Sequence, residues 1–188
     1  MFPEIEKILI DELRIANRMD EIGQRITADL RPLMAKAEQG GQELRLTLIP
    51  ILTGSIVFVA DLIRRLPVKL RLELIGVSSY PGKSMESKGV SISHELPKSL
   101  EGQHVLVVDD ILDSGATLDV VTRLIKEQRP ASLRTCVLLR KPGKARVDVK
   151  ADYVGFDIPD EFVVGYGLDY NGFYRNLPSI ATLRAEAL

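Results

Sequence analysis

The stretch VLVVDDILDSGATL, Val105 to Leu118, decides the fold class of this 188-residue chain. Its first four residues are apolar and are typical of a buried strand, and we interpret the two carboxylates that follow, Asp109 and Asp110, as an acidic turn. A third acid, Asp113, precedes the small and hydroxyl residues SGAT (114–117), which lead into an amphipathic helix. In an open α/β sheet a ligand binds at this place, outside the carboxyl end of a strand.

The residue types in this loop indicate what the ligand is. Small residues allow the backbone to approach a ligand closely, and free N–H groups at a helix start attract a phosphate. Carboxylates repel a phosphate, so they are expected to accept hydrogen bonds from hydroxyl groups or to hold a divalent cation. Ribose 5-phosphate offers a phosphate near two adjacent hydroxyls. Any one of these residues could instead belong to a solvated turn that caps the helix, because Asp and Ser are good N-caps.

The segment resembles the phosphoribosyl-pyrophosphate (PRPP) motif of type I phosphoribosyltransferases. The resemblance implies that Asp109 and Asp110 bind the ribose hydroxyls and a metal ion. The 5′-phosphate loop would then consist of Asp113, Ser114, Gly115, Ala116 and Thr117. The hypoxanthine-guanine branch usually has Glu before Asp, so Asp109 is a conservative departure. The family's general base, which takes the purine N7 proton, falls on Asp113, whose alternative role is to cap the next helix.

Composition limits the class of protein. The hydrophobic fraction of 45% and the charged fraction of 27% are ordinary for one globular domain, expected over residues 1–188. The net charge of −1 argues against a nucleic-acid-binding surface. Cys136 lies in an apolar run and is expected to be a reduced core residue. Since there is no signal-peptide pattern and no apolar stretch that could span a membrane, we expect a cytoplasmic protein.

Hydrophobic periodicity predicts an α/β fold with a mostly parallel central sheet flanked by helices. The predicted helices run from Asp11 to about Ala37, from the Thr53-Gly54-Ser55 turn to about Arg65, and from about Leu118 to Glu127. The predicted strands are Leu44–Ile51, Leu70–Val77, Val105–Val108, Leu133–Leu139 and Asp152–Phe156.

A long polar stretch (residues 78–104) separates two predicted strands. A connection of this length is usually functional or disordered, and its residues favour neither alternative. The resemblance favours a mobile lid, because the purine branch has a Ser-Tyr pair at its start and Ser79-Tyr80 matches it. Val90-Ser91-Ile92 could form a short strand within this lid.

The C-terminal stretch YVGFDIPDEFVVGYGLDYNGFYR, Tyr153 to Arg175, resembles the hood of hypoxanthine-guanine phosphoribosyltransferases. We expect the hood to span about 153–188, together with the N-terminal segment. By this resemblance Phe162 stacks on the purine, Val163 offers its backbone to the base edge, Asp169 helps to position the metal and the base, and Arg175 contacts pyrophosphate. By periodicity alone, residues 162–164 would more often belong to the hydrophobic core.

Lys141 and Thr53 are the two remaining positions of note. Lys141 matches the lysine that donates to the purine's exocyclic oxygen, although a lysine at a strand exit is usually only solvated. Because an ammonium only donates, this lysine predicts a preference for 6-oxopurines over adenine. The family usually has Lys or Arg where this chain has Thr53, in a pyrophosphate loop formed by Leu52, Thr53 and Gly54. The sequence leaves open whether the Leu52–Thr53 peptide is cis.

The resemblance implies a Mg²⁺-dependent purine salvage transferase that joins hypoxanthine or guanine to PRPP and gives IMP or GMP plus pyrophosphate. The metal ligands would be Asp109, Asp110 and Asp169. The expected assembly is a homodimer or homotetramer, without a nucleic-acid or membrane partner. One alternative is a regulatory protein that senses PRPP or a nucleotide on the same fold. A phosphoacceptor receiver domain fits less well, because the acidic pair lies mid-chain beside a phosphate-type loop.

Overall fold

The computed structural model describes residues 2–79, 90–92 and 99–187. In chain order the elements are β1 (Ile5–Ile10), α1 (Glu12–Gln39), β2 (Leu46–Leu52), α2 (Ile56–Ile63), β3 (Leu70–Leu72), β4 (Ile75–Ser79), β5 (Val90–Ile92), β6 (His104–Leu112), α3 (Ala116–Glu127), β7 (Ser132–Arg140), β8 (Tyr153–Asp157), β9 (Val163–Val164), β10 (Ile180–Leu183) and a short 3₁₀ helix (Ala185–Ala187). No helix within the described ranges is long and apolar enough to cross a membrane.

The main sheet is mostly parallel, which confirms the predicted fold class. Its described strands lie in the order β5-β4-β2-β6-β7-β8, and β3 also pairs with β2. The pairs that involve β2, β6, β7 and β8 are parallel, whereas β4 and β5 pair antiparallel. The strand predicted at Val90–Ile92 is therefore present, opposite Val77–Ser79.

The core lies on both faces of this sheet because successive strand residues point in opposite directions. In β6, Leu106 and Val108 pack toward α1 and α2, and Val105 and Val107 pack toward α3. Parallel strands covered on both faces are expected to be continuously apolar, as Val105–Val108 is. Cys136 is buried in the first of these two layers, as expected from its apolar neighbours.

Two element boundaries differ from the predictions. Asp109 and Asp110 do not form a turn; β6 continues through them to Leu112, because β7 supplies partners as far as Arg140. The single strand predicted over 70–77 is interrupted at Glu73 and Leu74. The interruption lies opposite Pro50 of β2, whose missing N–H removes one ladder hydrogen bond.

A second, smaller sheet joins the two ends of the chain. β10 pairs antiparallel with β1 on one side and with β9 on the other. The pattern of the N-terminal residues did not predict β1, since its residues are mostly exposed and alternate poorly. This sheet places the turns of residues 165–177 beside the carboxyl ends of the main strands.

We expect Leu138→Ala to destabilise the protein by about 3 kcal/mol. The Leu138 side chain of β7 is fully buried in the core layer that also contains α1, and its removal leaves a cavity. Urea unfolding followed by circular dichroism measures this free energy. The matched control is Leu13→Ala, whose side chain is 71% exposed and should change stability by less than about 0.5 kcal/mol. Similar losses for the two variants would contradict the assigned core.

Candidate active site

One cleft of about 500 Å³ lies at the carboxyl ends of β2 and β6. Such an edge is where open α/β sheets bind their ligands. Eleven of the residues singled out from the sequence line it, and they come from three separate parts of the chain: Leu52, Thr53 and Gly54; Asp109, Asp110, Asp113, Ser114, Gly115 and Thr117; Asp169 and Arg175. The fold therefore brings the predicted ribose, phosphate and pyrophosphate residues together.

The acidic pair lies where β6 enters the cleft. Asp109 is buried, and its Oδ1 accepts a hydrogen bond from the Asp110 backbone N–H at 3.0 Å. Asp110 is half-buried, and its Oδ1 accepts from the Ile111 N–H at 2.8 Å. Burial, and then the neighbouring Asp110 charge, raise the pKa of Asp109 well above its usual range. Burial also raises the pKa of Asp110, although its hydrogen bonds and Arg175 oppose this shift.

The loop after β2 is pressed against the acidic pair. The Asp110 carboxylate occupies the space above Gly54, so that a Cβ at position 54 would overlap it. The Leu52–Thr53 peptide bond is cis, and the Thr53 side chain is exposed. Ser55 is buried and its hydroxyl donates to the Ile51 carbonyl at 2.6 Å. The Thr53 hydroxyl is therefore accessible to an anion, whereas the Ser55 hydroxyl is not.

The loop between β6 and α3 turns at Gly115, which has φ +81° and acts as the N-cap of α3. A side chain at this position would also collide with Val149, whose Cγ1 lies 2.6 Å from an added Cβ. Gly115, Thr117 and Leu118 line the cleft, whereas Ala116, also predicted in this loop, opens α3 without lining it. The first N–H groups of α3 thus begin at the cleft, as a phosphate site requires.

Asp113 does not cap α3, since the N-cap residue is Gly115 and the side chain that accepts from the first helical N–H, that of Ala116, is Ser114 at 3.4 Å. Its Oδ1 is shielded from solvent and accepts no hydrogen bond. The same oxygen lies 3.4 Å from Lys144 Nζ, and Oδ2 lies 3.7 Å from Lys141 Nζ. A shielded oxygen without a hydrogen bond is an unusual arrangement that a donor from a ligand could satisfy.

Asp169 and Arg175 form the opposite wall of the cleft. Arg175 Nη2 lies 2.8 Å from Asp169 Oδ1, and Arg175 Nη1 donates to the Gly167 carbonyl at 2.6 Å. Gly167 in turn packs against the Gly54 carbonyl so closely that it leaves no room for a Cβ. Among the described residues that line the cleft, Arg175 is the only cation.

Of the predicted purine residues, Asp169 lines this cleft, whereas Lys141, Phe162 and Val163 do not. Lys141 is 8% exposed, and its Nζ donates to Asp160 Oδ1 at 3.1 Å. Phe162 is 47% exposed and meets Tyr170 edge to face, with ring centroids 5.5 Å apart. Val163 is buried opposite Thr182, in β9. Ser79 ends β4, but its side chain and the whole of Tyr80 lie outside the described residues.

Lys144 and Asp160 were not singled out from the sequence, yet both touch the predicted residues. Asp160 accepts hydrogen bonds from both Lys141 and Lys144. The only sequence signals were a second lysine in LLRKPGK and an acid in a loop after β8. Neither signal predicts the contact, because the two segments are adjacent only once β7 and β8 have paired.

The three predicted metal ligands do not form one cluster. No group of three or more His, Cys, Asp or Glu side chains within the described ranges could hold a metal ion. Magnesium is often held by one or two carboxylates together with substrate oxygens and waters, so a larger cluster is not required. The adjacent Asp109 and Asp110 carboxylates fit that mode of binding.

The chain matches a known protein family and curated relatives over most of its length. Residues 19–171 match the phosphoribosyl transferase domain family. The hypoxanthine-guanine phosphoribosyltransferase of Mycobacterium bovis is 43% identical over 180 residues, which covers 96% of this chain and 87% of that protein. The enzyme of the same name from Bacillus subtilis is 39% identical over 181 residues, covering 96% and 94%.

The chain belongs to the hypoxanthine-guanine phosphoribosyltransferase family.

Solved structures of this family superpose closely on the chain. A Staphylococcus aureus hypoxanthine phosphoribosyltransferase has a TM-score of 0.85 at 40% identity, covering 98% of this chain and 94% of that one. A mutant of the Trypanosoma cruzi enzyme, complexed with its product IMP, has a TM-score of 0.87 at 41% identity, covering 100% and 94%. The chain is thus a phosphoribosyltransferase in both sequence and fold, and the comparisons give no support to a regulatory protein.

We expect Asp109→Asn to raise the thermal unfolding temperature of the ligand-free protein. The raised pKa of Asp109 means that the folded protein binds its proton more tightly than the unfolded chain does. Stability is therefore lost as pH rises from the ordinary aspartate value of 3.8 toward the raised value. Asparagine is neutral at every pH and avoids this loss, and about 1 kcal/mol corresponds to about 2–4 °C here.

Differential scanning fluorimetry at about pH 8 and about pH 5 tests this expectation, because the gain should shrink at the lower pH. Asp148→Asn, which neutralises an exposed aspartate, is the control and should show no gain. An Asp109→Asn variant that is less stable than the parent at the higher pH would contradict the buried-pair argument.

Proposed function

We propose that this chain transfers the phosphoribosyl group of PRPP to hypoxanthine or guanine, forming IMP or GMP and releasing pyrophosphate. The observation that carries the proposal is the pairing of Lys141 Nζ with Asp113 Oδ2, 3.7 Å apart at the edge of the cleft. One is a hydrogen-bond donor and the other an acceptor. The adjacent O6 and N7–H of a 6-oxopurine present the complementary acceptor and donor.

The proposed roles in PRPP binding follow the three segments of the cleft. Asp109 and Asp110 accept hydrogen bonds from the ribose hydroxyls. The 5′-phosphate lies at the loop of residues 113–117, where the N–H groups at the start of α3 begin. Pyrophosphate lies between Leu52–Gly54 and Arg175, and Arg175 provides the positive charge that Thr53 does not.

Asp109 and Asp110 would hold Mg²⁺, with Asp169 on the facing wall. When bound, Mg²⁺ neutralises the departing pyrophosphate. Hydroxyl donors and a cation both favour the ionised form of Asp109, which opposes the effect of burial on its pKa. Its burial in the ligand-free protein is thus compatible with a role as an acceptor.

The transfer itself breaks the bond from C1′ of the ribose to the pyrophosphate oxygen and forms a bond from C1′ to N9 of the purine. The purine loses its N7 proton, and Asp113 accepts it. Positive charge develops on the ribose ring as pyrophosphate departs, so the chain acts mainly by positioning and electrostatics. Phe162 would stack on the base and Val163 would face its edge, while the lid that begins at Ser79-Tyr80 would exclude water.

Three further expectations belong to this proposal. The chain is a single domain with a lid (about 78–104) and a hood (about 153–188, with the N-terminal segment). It forms a homodimer or homotetramer. It acts in the cytoplasm, without nucleic acid or membrane partners.

The direct test is nucleotide formation from PRPP and Mg²⁺ with hypoxanthine, guanine, xanthine and adenine supplied separately. We expect turnover with 6-oxo bases and none with adenine, whose 6-amino group would face the ammonium of Lys141 donor to donor. Chromatographic detection of IMP, GMP and AMP measures it. PRPP binding without turnover of any base would instead favour the regulatory alternative.

We expect Asp113→Asn to lower turnover by about 10²-fold while PRPP affinity changes little, because the amide cannot accept the N7 proton. Steady-state kinetics with hypoxanthine gives the first quantity, and titration calorimetry with PRPP and Mg²⁺ gives the second. Asp110→Asn is the matched comparison and should mainly weaken PRPP binding. Equal losses of turnover and affinity in Asp113→Asn would assign Asp113 a structural role.

A further inference from the structure

Four charged side chains form one network beside the cleft: Lys141, Lys144, Asp113 and Asp160. Asp160 Oδ1 accepts hydrogen bonds from both ammonium groups. Asp113 lies at longer distances from the same two nitrogens, 3.7 Å and 3.4 Å. Asp160 is therefore the preferred partner of both lysines, and Asp113 is the weaker one.

We propose that Asp160 is a positioning residue for the transfer reaction: it accepts the hydrogen bonds of Lys141 and Lys144, so that Asp113 Oδ1 is left without a hydrogen bond and can accept the purine proton. This inference rests on the proposed function, in which Lys141 and Asp113 contact the base. Asp160 is itself 62% exposed at its side chain and does not line the cleft, so it acts through the two lysines.

The charges of the network explain why Asp160 is needed to keep the two ammonium groups from pairing with Asp113. With both acids present, two cations face two anions. Without the Asp160 charge, both ammonium groups would have Asp113 as their common partner, and one of them would occupy the oxygen that now accepts no hydrogen bond. A base that is already bound to an ammonium is a poor acceptor for the N7 proton.

The burial of Lys141 distinguishes this network from an ordinary surface ion pair, which contributes little to folding stability. Lys141 is 8% exposed, so its ammonium has little contact with water and needs a nearby acceptor for its N–H groups. The hydrogen bond to Asp160 also raises the pKa of Lys144, and the hydrogen bonds from Lys144 and Lys141 lower the pKa of Asp160. The ammonium–carboxylate contacts are thus maintained across neutral pH.

The test begins with Asp160→Asn, which keeps the size of the side chain and one acceptor oxygen but removes its charge. We expect the single-turnover rate of IMP formation to fall about tenfold or more. Single-turnover rates are used because product release does not mask them. Asp157→Asn is the matched control: it also lies at the end of β8 and is paired with Arg140, and its rate should change less than about twofold.

The decisive variant adds Lys144→Met to Asp160→Asn. Methionine is of similar length but carries no charge, so Asp113 regains its free oxygen, and we expect most of the lost rate to return. If Asp160 only stabilised its loop, the double variant would be no faster than Asp160→Asn, and that result would overturn the proposal. Thermal unfolding of each variant shows that the rates refer to folded protein.

The failure of this inference is distinguishable from the failure of the proposed function. If the unmodified chain forms no nucleotide, the proposed function is wrong. If the unmodified chain is active and Asp160→Asn retains its full single-turnover rate, only the role of Asp160 is overturned.

Discussion

Two carboxylates are held side by side at the end of a buried strand, and the rest of the cleft is arranged around them. Asp109 and Asp110 are close because β6 continues through them in register with β7. Burial makes the ionised forms of both unfavourable in the absence of a ligand, and at Asp109 the neighbouring Asp110 charge adds to this effect. The free protein therefore carries an electrostatic cost at the place where a diol and a cation are proposed to bind, as expected of a site built for function at the expense of stability.

That pair also fixes the loop that faces it. The Asp110 carboxylate lies directly over Gly54, and the Gly54 carbonyl lies directly against Gly167. Arg175 completes the sequence of contacts through its bond to the Gly167 carbonyl. Since neither contact leaves space for a Cβ at its glycine, a side chain at position 54 or 167 would force these walls of the cleft apart.

The part of the site proposed to bind the purine follows a different principle. Here the charges are balanced, with two lysines beside two acids, and one Asp113 oxygen is shielded and without a hydrogen bond. In the part proposed to bind PRPP, by contrast, like charges are adjacent and Arg175 is the only described cation in the lining. The two halves suit their proposed ligands, a polyol with a metal ion on one side and a neutral base on the other.

The sequence by itself determined the sheet class, most helices and strands, and the residue types of the loop proposed to bind PRPP, because these depend on local periodicity and on short contiguous motifs. It did not predict β1, whose pairing partner lies at the other end of the chain. It also assigned a turn to Asp109 and Asp110, which only the neighbouring strand β7 keeps extended. Only the tertiary structure brought Asp160 and Lys144 to Lys141 and Asp113, because parallel strand pairing joins segments that local sequence rules cannot relate.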